Sequence, residues 1–161
     1  MTRPPVDYPT AIAERYTALG YGVYQWVQDD STPPWAPITK PLSECRVALI
    51  SSGGAYLLGQ TAFHFRDDLS TRDIPFDADR KDLRVTHFAY DLTDARSDHN
   101  SVLPLDSLGS LVGSTIESTT ANAISFVGGI YSARRVREVL APRIVEMVTA
   151  MQADLALLVP V

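Results

Sequence analysis

The 161-residue sequence holds a single cysteine, Cys45. An intrachain disulfide is therefore excluded, as is a Cys-rich zinc or iron–sulfur site built from this chain alone. No stretch approaches the ~20 apolar residues that cross a bilayer as a helix. The opening residues, MTRPPVDYPT, lack the charged and apolar regions of a signal peptide. The expected compartment is the cytoplasm, with no membrane contact. A basic surplus is also missing: 14 Lys and Arg stand against 19 Asp and Glu, for a formal net charge of -5. That balance argues against nucleic acid and anionic membranes as partners. Neither G-x-G-x-x-G nor G-x-x-x-x-G-K-[ST] occurs, which removes the dinucleotide fingerprint and the phosphate loop. H-E-x-x-H and a serine nucleophile elbow are absent too, and no metal site is expected.

What is present is enough apolar content, 45%, to bury a core of one domain carrying an appended arm. The arm covers residues 1–41. Pro9, the spacing of Ile12, Tyr16 and Leu19, and a stop at Gly20 predict a short helix. Pro33, Pro34, Pro37 and Pro41 then forbid a helix or central strand and read as an extended connector. Trp26 and Trp35 flank that connector and are expected to pack on the core domain or on a partner.

Residues 42–161 read as an α/β domain. RVALIS (46–51), RVTHFAY (84–90), residues 124–127 and LALLVPV (155–161) are apolar enough for strands of a mostly parallel sheet buried on both faces. Leu105, Leu108, Leu111 and Val112 share one helical face after Pro104. Val136, Val139, Leu140, Ile144, Met147, Val148 and Met151 form a longer stripe behind Ser132, a candidate N-cap, and Pro142 should kink or divide that helix. Layered α/β architecture with flanking helices follows. Residues 57–82 show neither period and read as a long functional or partner-facing loop with some helix within it.

In an open α/β sheet, chemistry gathers beyond the carboxyl ends of the strands. Ser51, Ser52, Gly53 and Gly54 stand there after the first strand, an anion cradle in outline or simply a tight turn. Gly128 and Gly129 repeat the device ahead of Ser132, Arg134 and Arg135. His87, Asp91, Asp98, His99 and Asn100 gather around the second strand. Such carboxylates and imidazoles suit proton transfer or the holding of a substrate amine, while Asx residues also cap helices and turns. Asp91, Asp98 and His99 are the candidate catalytic residues. Ser51, Ser52, Gly53, Gly54, His87, Asn100, Gly128 and Gly129 are the candidate substrate contacts. Cys45, on the amino side of the sheet, is expected to be a small buried side chain.

The phrases CRVALISSGGAYL, DLRVTHFAYDLTDARSDHNSVLPLDSL, ISFVGGIYSARRVREVLAP and DLALLVPV resemble, in order, the selenoprotein B component of the glycine, sarcosine, betaine and D-proline reductases. The resemblance runs from about Pro41 to Val161. It implies that LLVPV is followed by a selenocysteine or cysteine, so a chain ending at Val161 is expected to be truncated at a UGA codon read as stop. It further implies dithiol-linked reductive cleavage of a C–N bond in a small amino acid or its N-methyl derivative. A pyruvoyl-containing partner subunit and a thiol/disulfide electron donor come with it. Two rival readings stand beside it: a stand-alone thiol or selenol oxidoreductase, and a redox-dead subunit that binds a small anion.

Overall fold

The run RVALIS folds as strand β1 (Arg46–Ser51), with five of its six residues buried. In the computed structural model, which describes residues 7–22 and 27–161, β1 is the middle of a five-stranded sheet. Strand period 2 sends Val47 and Leu49 to one face, where they join Ile74, Leu103, Leu105 and Ala123 in the main apolar cluster. Ala48 and Ile50 take the opposite face and are equally buried. A strand covered on both sides needs an unbroken apolar run, and RVALIS supplies one.

The other strands are β2 (Ala55–Leu57), β3 (Arg72–Pro75), β4 (Leu83–Val85), β5 (Ser118–Thr119), β6 (Asn122–Ser125) and β7 (Leu155–Val159). β5 and β6 run parallel to β1 along one of its edges, pairing Arg46 with Ser118 and Ile50 with Ile124. β7 runs parallel along the other edge, from Val47 opposite Leu155 to Ser51 opposite Val159. β3 closes the far side, antiparallel to β6. The α/β class and mostly parallel sheet are as expected, and four details differ.

The segment 84–90 does not join this sheet. Only Leu83–Val85 is strand, and it pairs antiparallel with β2 in a separate two-stranded sheet. The bond from Thr86 N–H to Gly54 O (3.0 Å) extends that ladder by one rung, after which the chain turns and Ala89 N–H binds His87 Nδ1 at 3.1 Å. The loop expected over 57–82 contains β3 and a 3₁₀ turn, Arg80–Asp82, in place of longer helix. The helix expected to reach Val112 spans only Leu105–Gly109. Finally, β7 is an edge strand, so Leu157 and Leu158 are exposed, at 42% and 66%, where full burial was expected.

Among the described residues the α-helical pieces are α1 (Tyr8–Ala18), α2 (Thr93–Ser97), α3 (Leu105–Gly109), α4 (Ala133–Arg135) and α5 (Ala141–Ala150). α1 begins at Asp7, whose carboxylate accepts from Thr10 N–H, with Pro9 in its first turn; Gly20 follows at φ 81°. α4 starts at Ser132, whose hydroxyl accepts from Arg135 N–H at 3.3 Å. Between α4 and α5 the helix widens into a π turn, Val136–Leu140. Pro142 accounts for it: lacking an N–H and crowding the carbonyl four residues back, it is accommodated by local widening rather than a break.

Two units are distinguished, Met1–Trp35 with α1 and Ala36–Val161 with both sheets. Trp26 lies outside the described residues. Among the described residues no helix is long and apolar enough to cross a membrane.

Candidate functional site

β1, β6 and β7 are parallel, so their carboxyl ends open on one edge of the sheet, and the chain knits that edge together. Ser52 N–H donates to Val159 O (3.1 Å), Gly128 N–H to Ser52 O (2.8 Å), and Val161 N–H to Ser52 Oγ (2.9 Å). Gly54 N–H donates to Phe126 O at 2.9 Å, and Gly53 N–H is not free for a ligand because it donates to Ser51 Oγ at 2.9 Å. Ser51 in turn donates to Val102 O. The amides of Gly53, Gly54 and Gly128, expected to cradle an anion, are thus engaged inside the protein. Among the described residues Gly129 N–H has no such bond, and Gly129 is exposed at φ 75°.

Those glycines answer a need for close approach. A side-chain carbon on Gly54 would sit 1.9 Å from Thr86 O, and one on Gly53 would sit 2.8 Å from Val102 Cβ. At Gly128 it would meet His87 Nε2 at 3.0 Å, Val161 O at 3.3 Å and Ser52 O at 3.4 Å. Three polar atoms from three segments therefore converge on the space that Gly128 leaves open.

His87 is the distinctive group there. It is 6% exposed, and Nδ1 accepts from Ala89 N–H, so the neutral ring carries its proton on Nε2. Nε2 is buried and has no hydrogen-bond partner. Burial pushes the His87 pKa below the usual histidine value, which keeps the ring uncharged at neutral pH. Tyr90 lies against it, ring centres 4.5 Å apart, and donates its hydroxyl to Gly53 O at 3.1 Å. Burial raises the Tyr90 pKa, so that proton stays in place. Sequence reasoning missed Tyr90. Its spacing of three from His87 across a turn was the available signal.

Asp91, Asp98, His99 and Asn100 form a second group with visible structural employment. Asp91 accepts from Thr93 N–H (2.9 Å) and Thr93 Oγ1 (2.7 Å) at the start of α2, and these bonds hold its carboxyl below the usual range. Asp98 accepts from Asn100 N–H at 2.9 Å, and Asn100 Oδ1 accepts from Asp106 N–H at 3.0 Å, capping α3. His99 Nε2 lies 3.1 Å from Asp106 Oδ2, a distance that makes an ion pair when the ring is protonated, though the N–H is not aligned on that oxygen as a hydrogen bond. Burial works to raise the Asp106 carboxyl, but hydrogen bonds from Arg80 and Asn100 outweigh it and the net shift is downward. Ser51 links the two groups, since Val102 follows the 3₁₀ turn His99–Ser101. Cys45 is fully buried at the opposite end of β1. Among the described residues no group of three or more His, Cys, Asp or Glu is placed to hold a metal ion.

Fold and edge together define an open-sheet α/β domain whose polar groups converge where three parallel strands end, the usual place for a small ligand in this architecture. The sequence is similar to D-proline reductase subunit gamma of Acetoanaerobium sticklandii, 32% identical over 130 residues, which cover 79% of this chain and 54% of the relative. The chain spans about half the length of the curated relative it matches. No family model matches, and no solved structure matches.

Proposed function

We propose that the chain is the substrate-side part of a reductase subunit that cleaves a C–N bond in a small amino acid such as D-proline. The observation that carries this reading is the 32% identity over 79% of the chain to a D-proline reductase subunit. The reaction takes two electrons and two protons: the C–N bond breaks, carbon and nitrogen each gain hydrogen, and a dithiol becomes a disulfide. The redox atom, a selenocysteine or cysteine beyond Val161, supplies the nucleophile, and it ionises more readily than an ordinary thiol if it is selenium.

The residues of this chain fit such a group. Val161 is tied to Ser52 at the mouth of the edge, and the orphaned Nε2–H of His87 lies beneath Gly128 beside it. The Gly129 amide, free among the described residues, is suited to the substrate carboxylate, while the Ser52 hydroxyl, which donates to Val161 O at 3.4 Å and accepts from Val161 N–H at 2.9 Å, holds the mouth of the edge in place. His87, neutral with its proton on Nε2, offers a hydrogen bond to an anionic atom without adding a charge of its own. Asp91, Asp98 and His99 are assigned to hold the amine or supply a proton. A partner subunit carrying a pyruvoyl group would capture the amine.

The test combines two readings. The coding DNA beyond Val161 is sequenced, and the full-length protein, isolated with its partners, is assayed for ring opening of D-proline with dithiothreitol. A codon for selenocysteine or cysteine in an open frame, with product formed, supports the reading. Full-length protein that leaves D-proline, glycine, sarcosine and betaine all unreduced would falsify it.

A further inference from the structure

A depression of about 610 Å³ lies between β4 and α2, and its lining includes Thr86 and His99 from the groups described above. Four of the chain's 14 lysines and arginines line it, Arg80, Lys81, Arg84 and Arg96, and none of its 19 acidic residues does. In a chain of net charge -5 this is a local reversal of sign. The four cations are not equivalent. Arg80 is balanced by Asp106 at 2.9 Å and held by the carbonyls of Phe76 (2.9 Å) and Ala78 (2.7 Å). Arg96 is felt by the Asp91 carboxylate but has no ion pair, and Lys81 and Arg84 have no acidic partner among the described residues.

Arg84 is held in readiness. Its Nη1 donates to Lys81 O (2.7 Å) and Leu83 O (2.8 Å), which fixes the guanidinium and leaves its other nitrogens free as donors. Beside the cations the lining includes the apolar side chains of Leu83 and Val85 and the ring of Tyr56, along with Thr86, Ser97 and His99. The volume falls within the ~300–1,000 Å³ usual for small-molecule sites.

We propose that this depression binds a small organic dianion, a phosphate or dicarboxylate carrying an apolar body. The charged end meets Lys81, Arg84 and Arg96, and the body lies on Tyr56 and Leu83. Two cations without an acidic partner among the described residues set the charge, and the Tyr56 ring with Leu83 sets the preference for an organic anion over a bare one. The depression shares His99 with the proposed reductase site, but the binding rests on the three cations and is read without turnover.

Isothermal titration of the chain with phenyl phosphate, succinate and inorganic phosphate at constant ionic strength tests it. Phenyl phosphate is expected to bind about tenfold more tightly than inorganic phosphate, a difference of about 1.4 kcal/mol. The double variant Lys81→Gln/Arg96→Gln, both exposed positions, is expected to weaken phenyl phosphate at least tenfold with an unchanged circular dichroism melt. A control of equal charge change, Arg137→Gln/Arg143→Gln, should leave binding intact. A succinate response equal to that of phenyl phosphate assigns the site to dianions generally, and a weaker one assigns it to phosphates. Absence of binding by both organic probes, equal binding of phenyl and inorganic phosphate, or equal loss in the control overturns the proposal. Should the double variant fail to fold, the Arg84 Nε–H signal in the unmodified chain must shift on adding phenyl phosphate.

Discussion

Gly54→Ala and Gly113→Ala separate two costs that a glycine usually hides together. Both positions are left-handed, at φ 73° and 75°, so alanine carries at each a similar conformational penalty of roughly 1–2 kcal/mol. Their surroundings differ. At Gly113 nothing lies within 4 Å of the added carbon, whereas at Gly54 it would fall 1.9 Å from Thr86 O. Backbone must then part by more than an ångström. The bond from Thr86 N–H to Gly54 O (3.0 Å) breaks, and that from Gly54 N–H to Phe126 O (2.9 Å) is strained. At about 1 kcal/mol for each buried bond, Gly54→Ala should lose about 3–4 kcal/mol and Gly113→Ala about 1–2. For a chain of this size the gap corresponds to roughly 4–8 °C in melting midpoint. The assay is far-UV circular dichroism, which follows the backbone of both sheets directly. Equal midpoints for the two variants would show that the turn does not close on Thr86 as described, and the geometry of the whole edge would fall with it.

Other expectations concern pH, pairing and association. His87 has a folded pKa below its ordinary value of 6.5, so the unfolded chain binds more protons as pH falls through that value and stability declines. His87→Asn, which keeps an acceptor for Ala89 N–H, should flatten the stability profile on the acid side of pH 6.5; an unchanged slope would remove His87 as its source. Asp154 accepts from Arg46 N–H (2.8 Å) and pairs with Lys40 (2.9 Å), and those contacts lower its pKa. Asp154→Asn should therefore raise amide exchange across β7 before the rest of the sheet, and uniform exchange would contradict that anchoring. Leu158, 66% exposed on an edge strand, should promote self-association, which light scattering should find reduced in Leu158→Lys. Identical masses at all concentrations for the two proteins would refute it.

Elements whose residues advertise one environment were legible in the sequence. RVALIS is apolar at every interior position, and only a strand covered on both faces suits it; Pro9 and Gly20 bracket α1 by backbone geometry alone. β3 was hidden because its four residues, RDIP, bury only Ile74, and so short a strand carries no period. β7 was recognised as a strand, yet its place at the edge depends on what lies beside it, which no local pattern encodes. In the site, glycines that bind a ligand and glycines that admit a neighbouring carbonyl look alike in sequence. Asp91 and Asp98 pose the same ambiguity, since a carboxylate that caps a turn is the same residue as one that moves a proton. His87 stood out only once the direction of its two nitrogens was known.

The central position of β1 also has a consequence for biosynthesis. Arg46 and Asp154, bonded across the β1–β7 junction, are 108 residues apart in the chain. At ~5–20 residues per second, the ribosome delivers the innermost strand roughly 5–20 s before the strand that flanks it. During that interval one edge of the best-buried strand in the sheet has nothing to pair with. A nascent chain arrested before β7 should therefore be a substrate for chaperones, and the order of synthesis makes the best-buried strand the last to be protected.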